Sequence, residues 1–270
     1  MRQWLVDAFA SKPFMGNPAC VVEPVITWLE DTDMQAIARE NRQPMTAFLK
    51  NTERPDMFDL RWFNRDIEVS ACGHATLAAG HVLIRELGFA ADAVRFRTRA
   101  GELAVRRTNE EYEMQFPPDL PIKIAEPTGL SMALGVRPVE VWRGRFVIAL
   151  LKSAEEVVKV VPNLSFLFGI EGGLFGPGHV AVAALADDGD FDVVDRCFVP
   201  RPESPEDLTT GTAHCSLAPI FSERLAKSLV RFLQAAPGRG AAITAHVRKG
   251  DVALQGGAVT IFQGNWCLSR

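Results

Sequence analysis

Apolar residues come in short runs broken by turn chemistry through the first sixty positions. Residues 3–9 and 19–22 are rich in Val, Leu, Ala and Phe, and between them lies Lys12-Pro13-Phe14-Met15-Gly16-Asn17-Pro18. A Gly-Asn-Pro core is a strong turn signal, so the segment predicts strand, turn, strand. Over residues 33–40, Met34, Ile37 and Ala38 fall on one face at helical spacing, with Asp33 as the expected cap. Residues 46–49 and 58–63 read as further strands. From Gly73 to about Leu87 the pattern changes: Ala75, Leu77, Ala78, Ala79, His81, Val82 and Leu83 predict a helix that is apolar nearly all round. Such a helix is wrapped by other elements. Residues 94–98, 102–106 and 111–116 then predict a meander turning at Gly101 and Asn109.

Stacked prolines in Phe116-Pro-Pro-Asp-Leu-Pro121 stop both ladder and helix and mark a linker. Beyond it the order repeats in outline. A helix is expected at residues 129–134, strands at 139–142 and 145–151, a helix at 153–160, strands at 180–185 and 192–199, and a loop at 200–205. A second apolar helix runs from Thr212 to about Phe232, and residues 241–247, 251–255 and 258–263 close the chain as antiparallel strands. Strands outnumber helices, and each half has one conspicuously apolar helix. The expected fold is α+β: two pseudo-symmetric lobes, each a rolled, mainly antiparallel sheet around a central helix. The lobes are expected at residues 1–118 and 119–257, with a final strand near 258–270 joining the first and an active cleft between them.

The two apolar helices begin alike. Cys72-Gly73-His74-Ala75 in one half answers Thr210-Gly211-Thr212-Ala213 in the other. Each phrase follows an Arg-x-Phe element (Arg61-Trp62-Phe63, Arg196-Cys197-Phe198) and acidic residues (Glu68; Glu206 and Asp207). A glycine at a helix start permits a tight turn, and the first N–H groups of any helix lack intrahelical acceptors, which is how proteins hold carboxylates and other anions. Two such starts facing each other would make an anion clamp. Ordinary helix entry explains either copy alone; their recurrence with upstream context favours a paired site.

Composition narrows the partner. The 270 residues carry 29 basic and 33 acidic side chains, a formal charge of −4, so neither a nucleic-acid groove nor a polybasic membrane patch is signalled, and a small molecule is the expected ligand. Five scattered cysteines (Cys20, Cys72, Cys197, Cys215, Cys267) lack CxxC spacing, which signals neither a disulfide framework nor a zinc site. The N-terminus lacks the apolar core and cleavage site of a signal peptide, and no apolar run is long enough to cross a bilayer, so a cytoplasmic location is expected.

The residues Val6-Asp7-Ala8-Phe9, Pro13-Phe14-x-Gly16-Asn17-Pro18-Ala19, Asp59-Leu60-Arg61-Trp62-Phe63, Cys72-Gly73-His74-Ala75-Thr76-Leu77-Ala78 and Pro205-Glu206-Asp207-x-x-Thr210-Gly211-Thr212-Ala213-His214 follow one another at ordinary spacing. In this order they resemble the signatures of the phenazine-biosynthesis (PhzF-like) isomerase family and, more distantly, diaminopimelate epimerase and proline racemase. The resemblance runs from residue 6 to the final strands. It implies the two-lobed epimerase fold, an interlobe site, a homodimer, and acid/base isomerisation of a small carboxylate-bearing substrate without metal or organic cofactor.

Position by position, the resemblance makes Gly73, His74, Asp207, Gly211 and Thr212 the anion-binding and proton-handling residues. Thr212 stands where the family usually has serine and keeps the hydroxyl; Leu208 replaces a usual proline. In the segment that usually reads Ser-Glu-Thr-x-Phe this chain has Pro44-Met45-Thr46-Ala47-Phe48. Met45 therefore replaces the glutamate that shuttles the proton in the phenazine enzyme, and a thioether has no proton to exchange. Cys72 is the first candidate to take over, because a thiol at a helix start beside an imidazole is an activated group. A small buried structural cysteine is the other reading. His74 either donates to a substrate carboxylate or is structural; Asp207 accepts a proton, orients His74, or complements the second helix dipole. Asn17 either touches substrate or serves its turn, Glu68 is a possible substitute base, and His214 and Cys215 are expected to pack. The reading that competes with an isomerase is a ligand-binding member that kept the clamp and lost its base.

Overall fold

The computed structural model describes residues 1–187, 189–201 and 205–267. The chain divides into two compact units, one comprising Met1–Gln115 with the chain from Gln255 onward, the other Phe116–Leu254.

In the first unit, β1 (Arg2–Ala8) and β2 (Asn17–Val25) form an antiparallel pair in which Ala8 faces Asn17. Their connection needs Gly16: its φ is +65°, and a Cβ there would sit 2.1 Å from the Ala8 carbonyl oxygen. Next, α1 (Asp31–Asn41) buries Met34, Ile37 and Ala38 and leads into β3 (Met45–Asn51), parallel to β2. The cap position is Glu30 rather than Asp33, which lies with Asp31 in the first turn, where carboxylates complement the helix dipole. Antiparallel to β3 runs β4 (Met57–Phe63), and the two-residue β5 (Glu68–Val69) folds back onto its end.

Then comes α2 (Gly73–His81), continued by a π-helical turn over Val82–Glu86. Every residue from 75 to 84 is buried, as the all-round apolar pattern requires. Gly80 lets the helix approach the sheet closely, since a Cβ there would fall 2.5 Å from Val105 Cγ1. The helix connects β4 to its parallel neighbour β6 (Ala93–Thr98), and β7 (Gly101–Thr108) and β8 (Glu111–Phe116) complete the meander.

The second unit repeats this plan. After β9 (Ile122–Ile124) and α3 (Leu130–Leu134), β10 (Glu140–Arg143) pairs antiparallel with β9 and with β11 (Val147–Leu150). Two short helices follow, α4 (Ala154–Lys159), capped by Ser153, and α5 (Leu164–Leu167), and lead into β12 (Val180–Leu185), parallel to β11. Leu130, Leu134, Val157, Leu167, Val182 and Phe198 belong to the core that these helices seal against the sheet. Antiparallel to β12 runs β13 (Val193–Phe198); the two-residue β14 (Glu206–Asp207) folds back onto its end, and α6 (Gly211–Leu225) follows.

Here the structure corrects the sequence reading. The helix expected to reach Phe232 stops at Leu225, where Ala226 turns left-handed at φ 51°. Leu229 and Arg231 are exposed while Val230, Phe232 and Gln234 are buried, a period of two, and the segment is a strand, β15 (Leu229–Gln234), parallel to β13. Short elements β9 and α5 had no counterpart in the sequence reading, and residues 202–204 of the expected 200–205 loop lie outside the described residues. Antiparallel to β15 lies β16 (Ala241–Val247), followed by β17 (Val252–Gly256). The closing strand β18 (Ala258–Asn265) pairs antiparallel with β1. Within the first unit α2 packs on β1, β2, β3, β7 and β18; within the second, α6 packs on β15 and β16. Each sheet is thus rolled about one central helix. Among the described residues no helix is long and apolar enough to cross a membrane.

Candidate functional site

Each motif helix is entered through the same construction. In the first unit, Arg61 on β4 holds Glu68 on β5 through a fork, Nε to Oε1 at 2.8 Å and Nη2 to Oε2 at 2.7 Å, and its guanidinium carbon lies 5.2 Å from the ring centre of Phe63. In the second unit, Arg196 on β13 holds Glu206 on β14 the same way, both contacts at 2.7 Å, and lies 5.2 Å from the ring of Phe198. The bidentate pair locks the two-residue strand against the end of its neighbour and delivers the chain to the helix start four or five residues on. Glu68 also accepts from Arg99 at 2.8 Å. Glu68 is thus engaged by two guanidiniums, the cap-side role that the sequence set beside that of a substitute base.

At the first start, Cys72 is the cap residue, extended at φ −154° and ψ 106° and only 9% exposed. Its carbonyl accepts from the Thr76 amide at 3.1 Å and from Thr76 Oγ1 at 2.6 Å. That fixes the first turn and leaves the Gly73, His74 and Ala75 amides beyond reach of any carbonyl of the helix itself. Cys72 Sγ lies 3.4 Å from His74 Nδ1, a thiol–imidazole hydrogen bond. Burial pushes the Cys20 and Cys215 thiols up to about 12 and raises Cys197 as well, so these three stay protonated. Cys72 differs from them in having an imidazole partner and a helix start.

Register brings the other first-unit candidates to the same end of the sheet. Ala19 faces Met45 across parallel strands, Thr46 faces Phe63, and Trp62 faces Val69. The starts of β2 and β3 and the end of β4 therefore share one edge, which carries Asn17, Met45 and the approach to Cys72. Asn17 and Met45 are buried, at 1% and 5% exposure.

At the second start, Asp207, Gly211 and Thr212 are half-buried, and Thr210 is the cap. The Thr210 carbonyl accepts from the Ala213 amide at 3.0 Å and from His214 Nδ1 at 2.9 Å. His214, fully buried, also meets Asp195 Oδ1 through Nε2 at 3.1 Å. Both ring nitrogens thus face acceptors, which favours the imidazolium. Burial lowers the His214 pKa, but the Asp195 carboxylate and the Thr210 carbonyl outweigh it and the net shift is upward. His214 was expected merely to pack; under the helix start it also bonds the Asp195 carboxylate and the Thr210 carbonyl.

Fully buried Gln234 was missed by the sequence reading, which placed residues up to about 232 in helix. Its Oε1 accepts from the Thr210 amide at 2.8 Å, and its Nε2 donates to the Asp207 carbonyl at 2.5 Å and to Thr210 Oγ1 at 3.2 Å. A glutamine on the buried side of an alternating apolar strand was the signal available. Among the described residues, no three His, Cys, Asp or Glu side chains gather as metal ligands would.

The sequence and the fold have relatives among known proteins. The family model for phenazine biosynthesis-like proteins matches residues 6–264. The chain belongs to the phenazine biosynthesis-like (PhzC-PhzF) family. It is 39% identical to an uncharacterized isomerase of Pseudomonas aeruginosa, over 96% of both chains. The crystal structure of a PhzF-family protein from Enterococcus faecalis superposes with a TM-score of 0.92 at 34% identity, covering 99% of each chain. A hydroxyproline epimerase from Agrobacterium vitis, at 13% identity and a TM-score of 0.56 over 98% of this chain and 91% of that one, shares the fold. Membership in this family, with relatives named as isomerases, makes the chain an isomerase-type protein of the epimerase-like fold.

Proposed function

We propose that this family member catalyses cofactor-independent isomerisation or epimerisation of a small carboxylate-bearing metabolite by acid/base proton transfer at carbon. The observation that carries the reading is the Cys72–His74 pair, 3.4 Å apart at the start of a buried helix. Proton transfer at carbon needs a group that takes a proton, a group that returns one, and fixed donors for the charge that develops. Cys72 and His74 supply exchangeable protons, and the first-turn amides of α2 and α6 supply donors. In this reading the amides of the second helix start, with Asp207 and Thr212 beside them, hold a carboxylate. A homodimer, implied by the resemblance, belongs to the same proposal and is checked by sedimentation.

The test is incubation of a panel of amino and cyclic carboxylic acids in deuterated water, with deuterium at carbon read by mass spectrometry. Cys72→Ser and His74→Ala are each expected to lower the exchange rate by about a hundredfold or more, the usual range for a general acid or base. Turnover intact in Cys72→Ser would make the thiol structural and move the chemistry to His74 and Asp207. One observation favours a second reading, a ligand-binding member without turnover: Met45, which cannot titrate, fills the glutamate position and is buried there. Thermal stabilisation by a carboxylate that never gains deuterium would select it.

A further inference from the structure

The second helix start is held from outside its own helix, and one side chain does most of the holding. Thr210 is gripped at three atoms by Gln234 and His214: amide and hydroxyl by Gln234, carbonyl by His214. The same Gln234 amide reaches back to the Asp207 carbonyl. It therefore spans the residues between the acidic strand β14 and the first turn of α6, and it does so from β15, 24 residues further along the chain.

We propose that Gln234 is a positioning residue of the second helix start: acting through Thr210 and the Asp207 backbone, it sets the direction of the Gly211 and Thr212 amides toward a substrate carboxylate. The inference rests on the functional reading above, in which those amides hold an anion. The physical argument is one of accounting. Gln234 has no exposed surface, and the three bonds above use both its acceptor and its donor atoms. An apolar side chain would fill the same volume between sheet and helix, but it would leave the buried Thr210 amide and the half-buried Asp207 carbonyl without this partner. Either group would then rotate toward another partner, and the segment between them carries the start of the helix with it. Donors that must meet a carboxylate at hydrogen-bond distance lose most of their value when misaimed by an ångström. His214 fixes only the carbonyl of Thr210, so it cannot replace the grip on Asp207.

The experiment uses the 15N-labelled full chain titrated with acetate as the carboxylate probe, with amide signals of Gly73, His74, Gly211 and Thr212 followed by NMR. Three variants are compared with the unaltered protein: Gln234→Met, which keeps length and removes both bonding functions; Gln234→Asn, which keeps the amide on a stem too short to span; and Gln234→Glu, whose neutral acid form offers one acceptor and one donor. Expected is a loss of about tenfold in acetate affinity at Gly211 and Thr212 in the Met and Asn variants. The response at Gly73 and His74 should stay unchanged, and the Glu variant should recover part of the loss. Amide exchange is expected to accelerate at residues 211–214 and not at the far end of α6. If the Met variant fails to fold, the Asn variant decides by the same readout. An unchanged acetate response at Gly211 and Thr212 in the folded variants overturns the positioning role alone. No response there in the unaltered protein overturns the anion-holding reading and this proposal with it.

Discussion

Arg196 and Glu206 form a nearly dry fork in the second unit, with side chains only 4% and 16% exposed. The remaining guanidinium nitrogen of Arg196 takes three carbonyls at the end of α4: Val157 at 3.3 Å, Val158 at 3.1 Å and Val160 at 2.7 Å. One side chain thus closes a helix C-terminus, neutralises a buried carboxylate and fixes the strand that leads to α6. Its counterpart Arg61 keeps the fork and the aromatic contact, but its third nitrogen reaches Asp31, which is 70% exposed. The duplicated device carries different loads in the two units.

Arg196→Met should therefore destabilise the protein by roughly 3–5 kcal/mol, the usual range for leaving one member of a buried pair uncompensated. Arg61→Met should cost less, because Arg61 is more exposed than Arg196, at 14% against 4%, and Glu68 keeps Arg99 as a partner. Arg196→Lys should recover only a fraction, since an ammonium cannot make the fork. Urea unfolding of the three variants checks the ranking. Equal losses at Arg61 and Arg196 would contradict the account given for the α4 carbonyls.

The construction around these arginines was legible in the sequence because it is local. Arg-x-Phe, an acid, then Gly at a helix start fall within about sixteen residues in both halves, and an all-apolar run announces each helix. What holds the second start in place was not legible. Ala226 ends α6 in a left-handed conformation that no glycine or proline advertises, so the helical pattern ran on into β15. With that strand misread, Gln234 had no place in the argument. Asp195 was hidden for a related reason: it sits in an apolar strand, and its partner His214 comes from a helix 19 residues later, a distance no periodicity reports. Long-range polar pairs need the fold before they can be seen.

His214 and Asp195 predict a loss of stability toward alkaline pH. The folded pKa of His214 is raised above its ordinary 6.5 because the opposing Asp195 charge and hydrogen bond, with the Thr210 carbonyl, overcome the cost of burial. A raised folded pKa means that the native state binds the proton more tightly than the unfolded chain does. The contribution is then complete below about 6.5 and disappears as pH rises through the folded value. His214→Gln should abolish this alkaline limb. Urea midpoints of both proteins from about pH 6 to 9 make the comparison, and parallel curves would show that the buried imidazole is not charged.

His81 predicts the opposite limb. It is buried at the end of α2, with Nδ1 2.9 Å from the Tyr112 hydroxyl and Nε2 2.9 Å from Thr260 Oγ1 on the closing strand. Burial lowers its pKa from 6.5 to about 4, with Glu86 opposing and Arg85 adding to the shift. Below about 6.5 the unfolded chain takes up a proton that the native state refuses until near 4, so stability falls with pH across that window, by on the order of 3 kcal/mol at its foot. His81→Gln, which keeps a donor and an acceptor, should flatten this acid limb while leaving the alkaline one. A variant that still loses the same stability between neutral and mildly acid pH would assign the acid limb to carboxylates instead.

Met45 offers the most direct test of the chemistry. The residue opens β3 opposite Ala19, at the sheet edge that also carries the approach to Cys72, and is 5% exposed. The resemblance read in the sequence implies that the phenazine enzyme has its proton-shuttling glutamate at this position. Met45→Glu restores a titratable group of similar length, and burial will raise its pKa toward the range where a general acid or base works best. The substitution should lower stability by roughly 1–3 kcal/mol, the cost of burying a polar group without a prepared partner. If the site has kept its substrate geometry, Met45→Glu should also raise the rate of deuterium incorporation by about a hundredfold. Met45→Gln carries the same shape without the proton and should leave the rate unchanged, which separates chemistry from repacking. Equal rates for the Glu and Gln variants, both folded, would show that position 45 no longer faces the reacting carbon and that proton transfer, where it occurs, belongs to Cys72 and His74.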